Sequence, residues 1–165
     1  MHAPIERPSA WVERWAKEVK RGPVLDLACG NGRHARFFRE LGFDVVAVDR
    51  QPVDLPGIEF LKKDLEDGGP WPLEGEQFGA IVVTNYLHRP LFPKIEASLA
   101  PGGVLIYETF MAGNERFGKP SNPAFLLCPG ELKAAFASLE VLGFEEGEVR
   151  EPKPAMVQRI CAARR

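Results

Sequence analysis

Four short, nearly unbroken apolar runs constrain this 165-residue chain most: Val24 to Ala28, Val45 to Val48, Ala80 to Val83 and Val104 to Tyr107. A run that does not alternate with polar residues is covered on both faces, and strands of that kind belong to parallel sheets flanked by helices. Between the first two runs, Ala35, Phe38 and Leu41 recur at helical spacing within Asn31 to Leu41, and Gly42 follows as a natural helix stop. The result is a strand, a helix and a second strand. Ile58 to Leu61 reads as a third strand, and Pro93 to Leu99 as a helix opened by proline and closed before Pro101-Gly102-Gly103. Leu132, Ala135, Phe136 and Leu139 have the spacing of a further helix, and Leu139 to Val149 and Ala155 to Ala163 read as the last two strands, paired, with the C-terminal strand antiparallel to the sheet. A helix within 9–20 precedes the first strand, with Trp11 and Trp15 on one face to dock it on the core. The expectation is a single α/β domain over 1–165, with seven strands, mostly parallel, and helices on both faces.

Composition narrows the function. A formal charge of −2 argues against a broad basic surface for nucleic acid, whose affinity rests largely on clustered lysine and arginine. Cys29, Cys128 and Cys161 are odd in number and far apart, with no histidine at metal-ligand spacing, so neither a disulfide framework nor a metal site is expected. No apolar run approaches the about 20 residues of a membrane helix. The start MHAPIERPSA lacks the apolar stretch of a signal peptide, and a cytoplasmic protein is expected.

The chemistry concentrates in Asp26-Leu27-Ala28-Cys29-Gly30-Asn31-Gly32-Arg33, which runs from a strand into a helix. Gly30 and Gly32 permit positive φ and close approach of backbone to ligand, at the sheet edge where open α/β folds bind. Asp26, four residues before Gly30, would repel the pyrophosphate of a dinucleotide at this turn. It suits a cationic ligand such as S-adenosylmethionine, whose amino group needs acceptors. Asp49 closes the next strand 17 residues beyond Gly32, close to the spacing of about 20 at which an acid accepts ribose hydroxyls. Asp64 follows the third strand, where its carboxylate can accept from an adenine amino group while the Leu65 amide donates to the ring.

The run Val24 to Arg33 resembles motif I of the class I S-adenosylmethionine-dependent methyltransferases, and Asp49 is similar to the ribose acid of that superfamily. The resemblance extends from Gly22 through Asp64-Leu65 and Phe78 to Thr84 to Pro101-Gly102-Gly103. It implies the Rossmann-like methyltransferase fold, S-adenosyl-L-methionine as cofactor and no metal. Around the cofactor it implies Asp26, Ala28, Gly30, Asn31 and Gly32, then Asp49 with Arg50, Asp64 with Leu65, and Asn85. Ser9-Ala10-Trp11 would close the cofactor from the other side. Phe125 to Leu132 resembles the small tellurite-resistance type of methyltransferase, which implies a small or inorganic acceptor. The gap from Asp49 to Ile58 is too short for the usual helix and leaves that side of the adenine pocket open.

Methyl transfer is an in-line displacement, so much of its rate comes from placing the acceptor in attack geometry. In this fold the acceptor pocket forms beyond strands four and five, which points to Thr84 to Pro90 and to Glu108 to Pro129. Tyr86, His88 and Arg89 are the expected acceptor-positioning residues, with His88 also a candidate base. Asn85-Tyr86 lacks the Pro-Pro-aromatic continuation of amino-group nucleic-acid methyltransferases, so the expected partner is a small molecule. The stretch 109–129 reads as a lid, with Arg116 and Lys119 placed for an anionic acceptor. Two other classes use the same elements. A nicotinamide-dependent oxidoreductase finds Asp26 misplaced and little room for a substrate domain, and a non-catalytic cofactor-binding module, a sensor or subunit, needs no acceptor.

Overall fold

The computed structural model describes residues 7–165, and the part of the N-terminal expectations that concerns residues 1–6 lies outside them. Its strands are β1 (Val24–Leu27), β2 (Val45–Asp49), β3 (Glu59–Lys62), β4 (Phe78–Thr84), β5 (Leu99–Phe110), β6 (Glu140–Val149) and β7 (Ala155–Ala163). Its helices are α1 (Ala10–Trp15), α2 (Arg33–Glu40), α3 (Phe92–Ala97) and α4 (Glu131–Ala135). The strands form one sheet of order β3-β2-β1-β4-β5-β7-β6. Five are parallel, and β7 runs antiparallel to both its neighbours. The Rossmann-like methyltransferase sheet expected from the sequence is the one found.

Successive residues of each strand feed opposite layers. Val24, Ala47, Ala80, Val82 and Ile106 pack with Trp11, Val12, Ala35 and Phe38 of α1 and α2. Leu25, Leu27, Ile81, Val83 and Leu105 pack with Ile95, Leu132 and Phe136 from α3 and the end of α4. Full burial of one such Leu, Val or Phe side chain is worth about 1.5–3 kcal/mol, which is why both sheet faces recruit helices.

Three boundaries differ from the sequence reading. The α3 helix ends at Ala97, and Leu99 already pairs with Phe78. Pro101-Gly102-Gly103 then forms an irregularity within β5, since the next partners are Ala80 and Val104. The α4 helix stops at Ala135, although Phe136 and Leu139 stay buried as the spacing requires. The N-terminal helix turns into a tighter 3-10 turn over Ala16–Glu18.

The order places a topological switch between β1 and β4, the position at which open α/β sheets bind ligands. Leu27 lies opposite Val48 and Val83, and Thr84 opposite Glu108, so Ala28, Asp49, Asn85 and Glu108 reach the carboxyl edge together.

Candidate functional site

The turn after β1 is built from backbone that ordinary residues avoid. Ala28 has φ 56, Gly30 φ 58 and Gly32 φ 83, and a non-glycine residue in this region costs of order 1 kcal/mol or more. The Cys29 N–H donates to the Val48 carbonyl at 2.9 Å and ties the turn to β2. A Cβ on Gly32 would lie 2.4 Å from Leu55 Cδ2, whereas a Cβ on Gly30 would meet nothing within 4 Å. Gly32 is therefore glycine for packing, and Gly30 keeps the open side of the turn clear. Cys29 is buried beside it, and burial pushes its thiol up to about 12.

Asp49 clamps this turn. Its Oδ1 accepts from the Gly30 N–H at 3.1 Å and its Oδ2 from the Gln51 N–H at 3.0 Å. Asp64 accepts from the Glu66 N–H at 2.9 Å and folds the chain after β3 into a short turn. Asp26 lies beneath at 1% exposure, and its Oδ2 has no hydrogen-bond partner. Burial raises its pKa from 3.8 to about 7, with Asp49 adding to the rise and the Ala35 amide and Arg33 opposing it.

Two cavities open at this edge. The first, of about 480 Å³, is lined by Ala28, Asp49, Arg50, Asp64, Leu65 and Glu66, and further along by Asn85, Tyr86, Leu87, Phe110, Pro120 and Phe125. The second, of about 540 Å³, is lined by residues 7–10, Arg33, Asn85, Glu108, Phe110 and the β6–β7 hairpin from Val149 to Arg159. Asn85 and Phe110 belong to both. Asn85 holds φ 54, with its N–H donating to the Glu108 carbonyl at 2.9 Å. Strained non-glycine backbone thus stands on both sides of the switch point, at Ala28 and Asn85.

Most residues expected around a cofactor come together here. Ala28, Asp49, Arg50, Asp64, Leu65 and Asn85 line the first cavity, and Gly30, Asn31 and Gly32 form the adjoining turn. Trp11 goes elsewhere: it is 2% exposed, its indole N–H donates to the Ile160 carbonyl at 3.1 Å, and its ring meets Trp15 edge-on at 5.6 Å. It docks α1 on the sheet and lines neither of the two cavities.

The acceptor residues divide in the same way. Tyr86 lines the first cavity and donates its hydroxyl to Glu66 Oε2 at 3.0 Å. His88 faces a separate small cleft with Trp71, Pro72 and Lys94, and its Nδ1 is 3.6 Å from Glu66 Oε1. Arg89 makes a two-pronged pair with Glu131 at 2.6 and 2.9 Å and donates to the Leu126 carbonyl at 2.9 Å. It is a strut beneath 124–131. Loop position alone does not say which way a side chain turns, and neither His88 nor Arg89 lines the two larger cavities. Arg116 lies outside both cavities, over the Phe117 ring and bonded to the Gly113 carbonyl. The stretch 109–129 is tied together at its base: the Ala112 N–H donates to the Leu127 carbonyl and the Leu127 N–H to the Phe110 carbonyl. Buried Asn114 fastens its interior to Pro120 and Met156.

The second cavity contains residues the sequence reading left unassigned. Glu108 and Arg159 are cross-strand partners, and Arg159 Nε donates to Glu108 Oε2 at 2.5 Å. A charge inside each of two otherwise apolar strands was the available signal. His34 is 1% exposed and accepts from the Ser9 N–H at Nε2, which leaves Nδ1 to donate to Thr84 Oγ1 at 3.3 Å. Burial lowers its pKa from 6.5 to about 3, so it stays neutral and holds residues 7–10 against the cavity. Among the described residues no cluster of His, Cys, Asp and Glu is arranged to hold a metal, and the three cysteines are free.

The profile of a methyltransferase-domain family matches residues 2–127. YqeM of Bacillus subtilis, a proposed methyltransferase, is 30% identical over 126 residues, 65% of this chain and 49% of that protein. The chain thus spans about half the length of this relative. Among solved structures, TehB from Haemophilus influenzae superposes with a TM-score of 0.73 at 19% identity, over 93% of this chain and 61% of TehB. The 1,6-didemethyltoxoflavin-N1-methyltransferase of Burkholderia thailandensis, solved with 1,6-didemethyltoxoflavin and S-adenosylhomocysteine, gives 0.68 at 20% identity over 94% and 76%. At these identities the likeness is one of fold.

Proposed function

The chain belongs to the methyltransferase-domain family, and we propose that it transfers a methyl group from S-adenosylmethionine to a small-molecule acceptor. The observation that carries this reading is the pair of cavities that meet at Asn85 and Phe110, on the switch point between β1 and β4. One cavity bears the acids suited to an adenosyl ligand, and the other has the volume of a small-molecule site.

The donor set fits the cofactor. Asp49 presents a carboxylate to ribose hydroxyls, and Asp64 with Leu65 faces the base. The unpartnered Asp26 Oδ2 leaves a free acceptor under the turn, which the amino group of a cationic ligand can use and a pyrophosphate cannot. When bound, S-adenosylmethionine supplies a sulfonium-activated methyl group for in-line displacement. The protein's contribution is to orient the two ligands and exclude water: Phe110, Pro120 and Phe125 wall the first cavity, and the Tyr86 phenol is held by Glu66. Burial, with the Glu66 charge beside it, raises the Tyr86 phenol above its ordinary value, so it serves as a neutral positioning group.

The acceptor enters the second cavity, against apolar Pro8, Phe110, Val149, Ala155 and Val157, with the Glu108 and Arg159 pair as its polar contact. A cytoplasmic location is part of this reading, in keeping with three free thiols. Among the described residues no helix is long and apolar enough to cross a membrane.

Isothermal titration with S-adenosylmethionine, S-adenosylhomocysteine and the nicotinamide dinucleotides tests the cofactor, with binding expected for the first two only. Release of S-adenosylhomocysteine over a panel of small acceptors tests the transfer. Binding of a nicotinamide dinucleotide in place of the adenosyl ligands would overturn the reading, and cofactor binding without turnover on any acceptor would favour a sensor or subunit.

A further inference from the structure

Strand β5 is apolar from Val104 to Tyr107 and then presents Glu108, which is 8% exposed and lies opposite Arg159 of β7. Arg159 Nε donates to Glu108 Oε2 at 2.5 Å, its Nη1 reaches Glu145 Oε1 at 3.4 Å, and its guanidinium lies over the Trp11 ring at 5.7 Å. Glu145 in turn accepts from Arg14 of α1 at 2.9 Å. The arginine is thus fixed by two acids and a ring, as a strut behind Glu108. Among the described residues, the Glu108 side chain makes its bonds through Oε2 alone. Its Oε1 has no protein donor, although the residue lines the second cavity.

Stability does not account for this arrangement. A sunken ion pair loses hydration that its own attraction seldom exceeds, and well-packed apolar residues of similar size commonly serve as well or better. Its place in the fold does account for it. The Glu108 carbonyl accepts from the Asn85 N–H at 2.9 Å, and Phe110 follows two residues on along the same strand face. Asn85 and Phe110 are the residues at which the two cavities meet. The free carboxylate oxygen therefore stands beside the passage between them, among the apolar walls of Pro8, Val149, Ala155 and Val157.

On the methyl-transfer reading above, we propose that Glu108 is the catalytic base, and that the acceptor is a small apolar molecule whose nucleophile is a hydroxyl or amine still carrying its proton. Glu108 Oε1 accepts the hydrogen bond from that O–H or N–H and so turns the nucleophile's lone pair toward the sulfonium methyl. As the new O–C or N–C bond forms, the C–S bond breaks and its electron pair stays on sulfur as the neutral thioether. The proton passes to Glu108 Oε1 and from there to water. Arg159 is the positioning residue. A nucleophile that is already an anion has no such proton to give and is set against the Glu108 charge, so carboxylates and inorganic oxyanions are poor acceptors.

The test uses the intact chain with S-adenosylmethionine and reads release of S-adenosylhomocysteine over phenol, catechol and aniline, with anisole as the proton-free control and benzoate, selenite and tellurite as the anionic ones. Transfer is expected to the hydroxyl and amine members alone. Glu108→Gln should lower the single-turnover rate by at least about 100-fold while cofactor affinity stays within about 2-fold. Arg159→Lys, which keeps the charge but not the fork, should lower it by less. Glu108→Leu combined with Arg159→Met should keep or raise the Tm and lose transfer. Transfer to an anionic control in place of the hydroxyl and amine members overturns the proposal, as does a wild-type rate in Glu108→Gln, or a lower Tm with transfer retained in the paired variant. If the cofactor binds and nothing reacts, phenol, catechol and aniline are titrated into protein saturated with S-adenosylhomocysteine. Binding that the paired variant loses supports the proposal, and binding that is absent or unchanged overturns it. A wild type that does not bind S-adenosylmethionine fails the cofactor reading itself, which is a different result.

Discussion

The two cavities are assembled in opposite ways. The first draws its polar groups from neighbouring segments and holds them with short-range bonds: Asp49 to Gln51, Asp64 to Glu66, and Asp49 across one strand to Gly30. The second is closed by contacts between residues far apart in sequence, including Ser9 with His34, Arg7 with Arg33, Glu108 with Arg159 and Trp11 with Ile160. A site made by strand-end turns forms wherever the parallel sheet forms. A site made by docking a terminal helix and a hairpin can change shape without disturbing the sheet, which suits a common cofactor and a variable acceptor.

The sharpest way to break this contrast is Gly30→Val. No protein atom lies within 4 Å of the added Cβ, so the side chain enters ligand space rather than the core. The backbone penalty of a β-branched residue at φ 58 is of order 1–2 kcal/mol and leaves the fold intact. Titration should show at least about 100-fold weaker cofactor binding, since even a fraction of the lost contacts exceeds the 2.7 kcal/mol that this factor requires. Normal binding with a native circular dichroism spectrum would mean that the turn is not the cofactor turn.

The converse variant is Ala155→Trp, which fills the second cavity from its hairpin wall. Single-turnover rates with a competent acceptor should fall by about 100-fold while cofactor affinity stays within about 2-fold, because acceptor placement alone is disturbed. Loss of both together would show that the cavities are one site.

Asp49→Ala should weaken cofactor binding by about 10- to 100-fold, the worth of hydrogen bonds to a charged acceptor. The variant also frees the Gly30 amide, so Asp49→Asn, which still offers an acceptor to it, should lose less. Equal affinities for wild type and Asp49→Ala would remove this residue from the ribose.

The smallest effect concerns stability, and it sets one buried group under each cavity against the other. Asp26, raised from 3.8 to about 7, keeps in the fold a proton that the unfolded chain releases, so stability falls as pH rises through that interval. His34, lowered from 6.5 to about 3, stays neutral in the fold while the unfolded chain takes up a proton, so stability falls as pH drops through its interval. The two slopes oppose each other between 3.8 and 6.5. Asp26→Asn leaves the histidine alone, and its Tm should rise with pH across that window by a few degrees more than that of the wild type. Parallel profiles in thermal denaturation would refute the raised pKa of Asp26.

What the chain determined by itself is local. Unbroken apolar runs such as Val45 to Val48 have no polar face to expose, so they become strands buried on both sides, and glycines at 30 and 32 permit the left-handed turn after the first of them. Asp49 and Asp64 end their strands, and strand ends in a parallel sheet share one edge. The first cavity's polar groups were therefore legible from spacing alone. Side-chain direction after a strand end was not. Arg89 has a loop position as suitable as that of Tyr86, yet it turns away to Glu131 because carbonyls of the 109–129 stretch and an acid converge there, and that convergence exists only once residues 42 apart in sequence meet. Trp11 is drawn to the sheet by its apolar area and by the Ile160 carbonyl, 149 residues on. The second cavity, with Arg33, Glu108 and Arg159 on its wall, depends on an antiparallel register and a docked helix. Those are products of burial summed over the whole chain, and no window of sequence contains them.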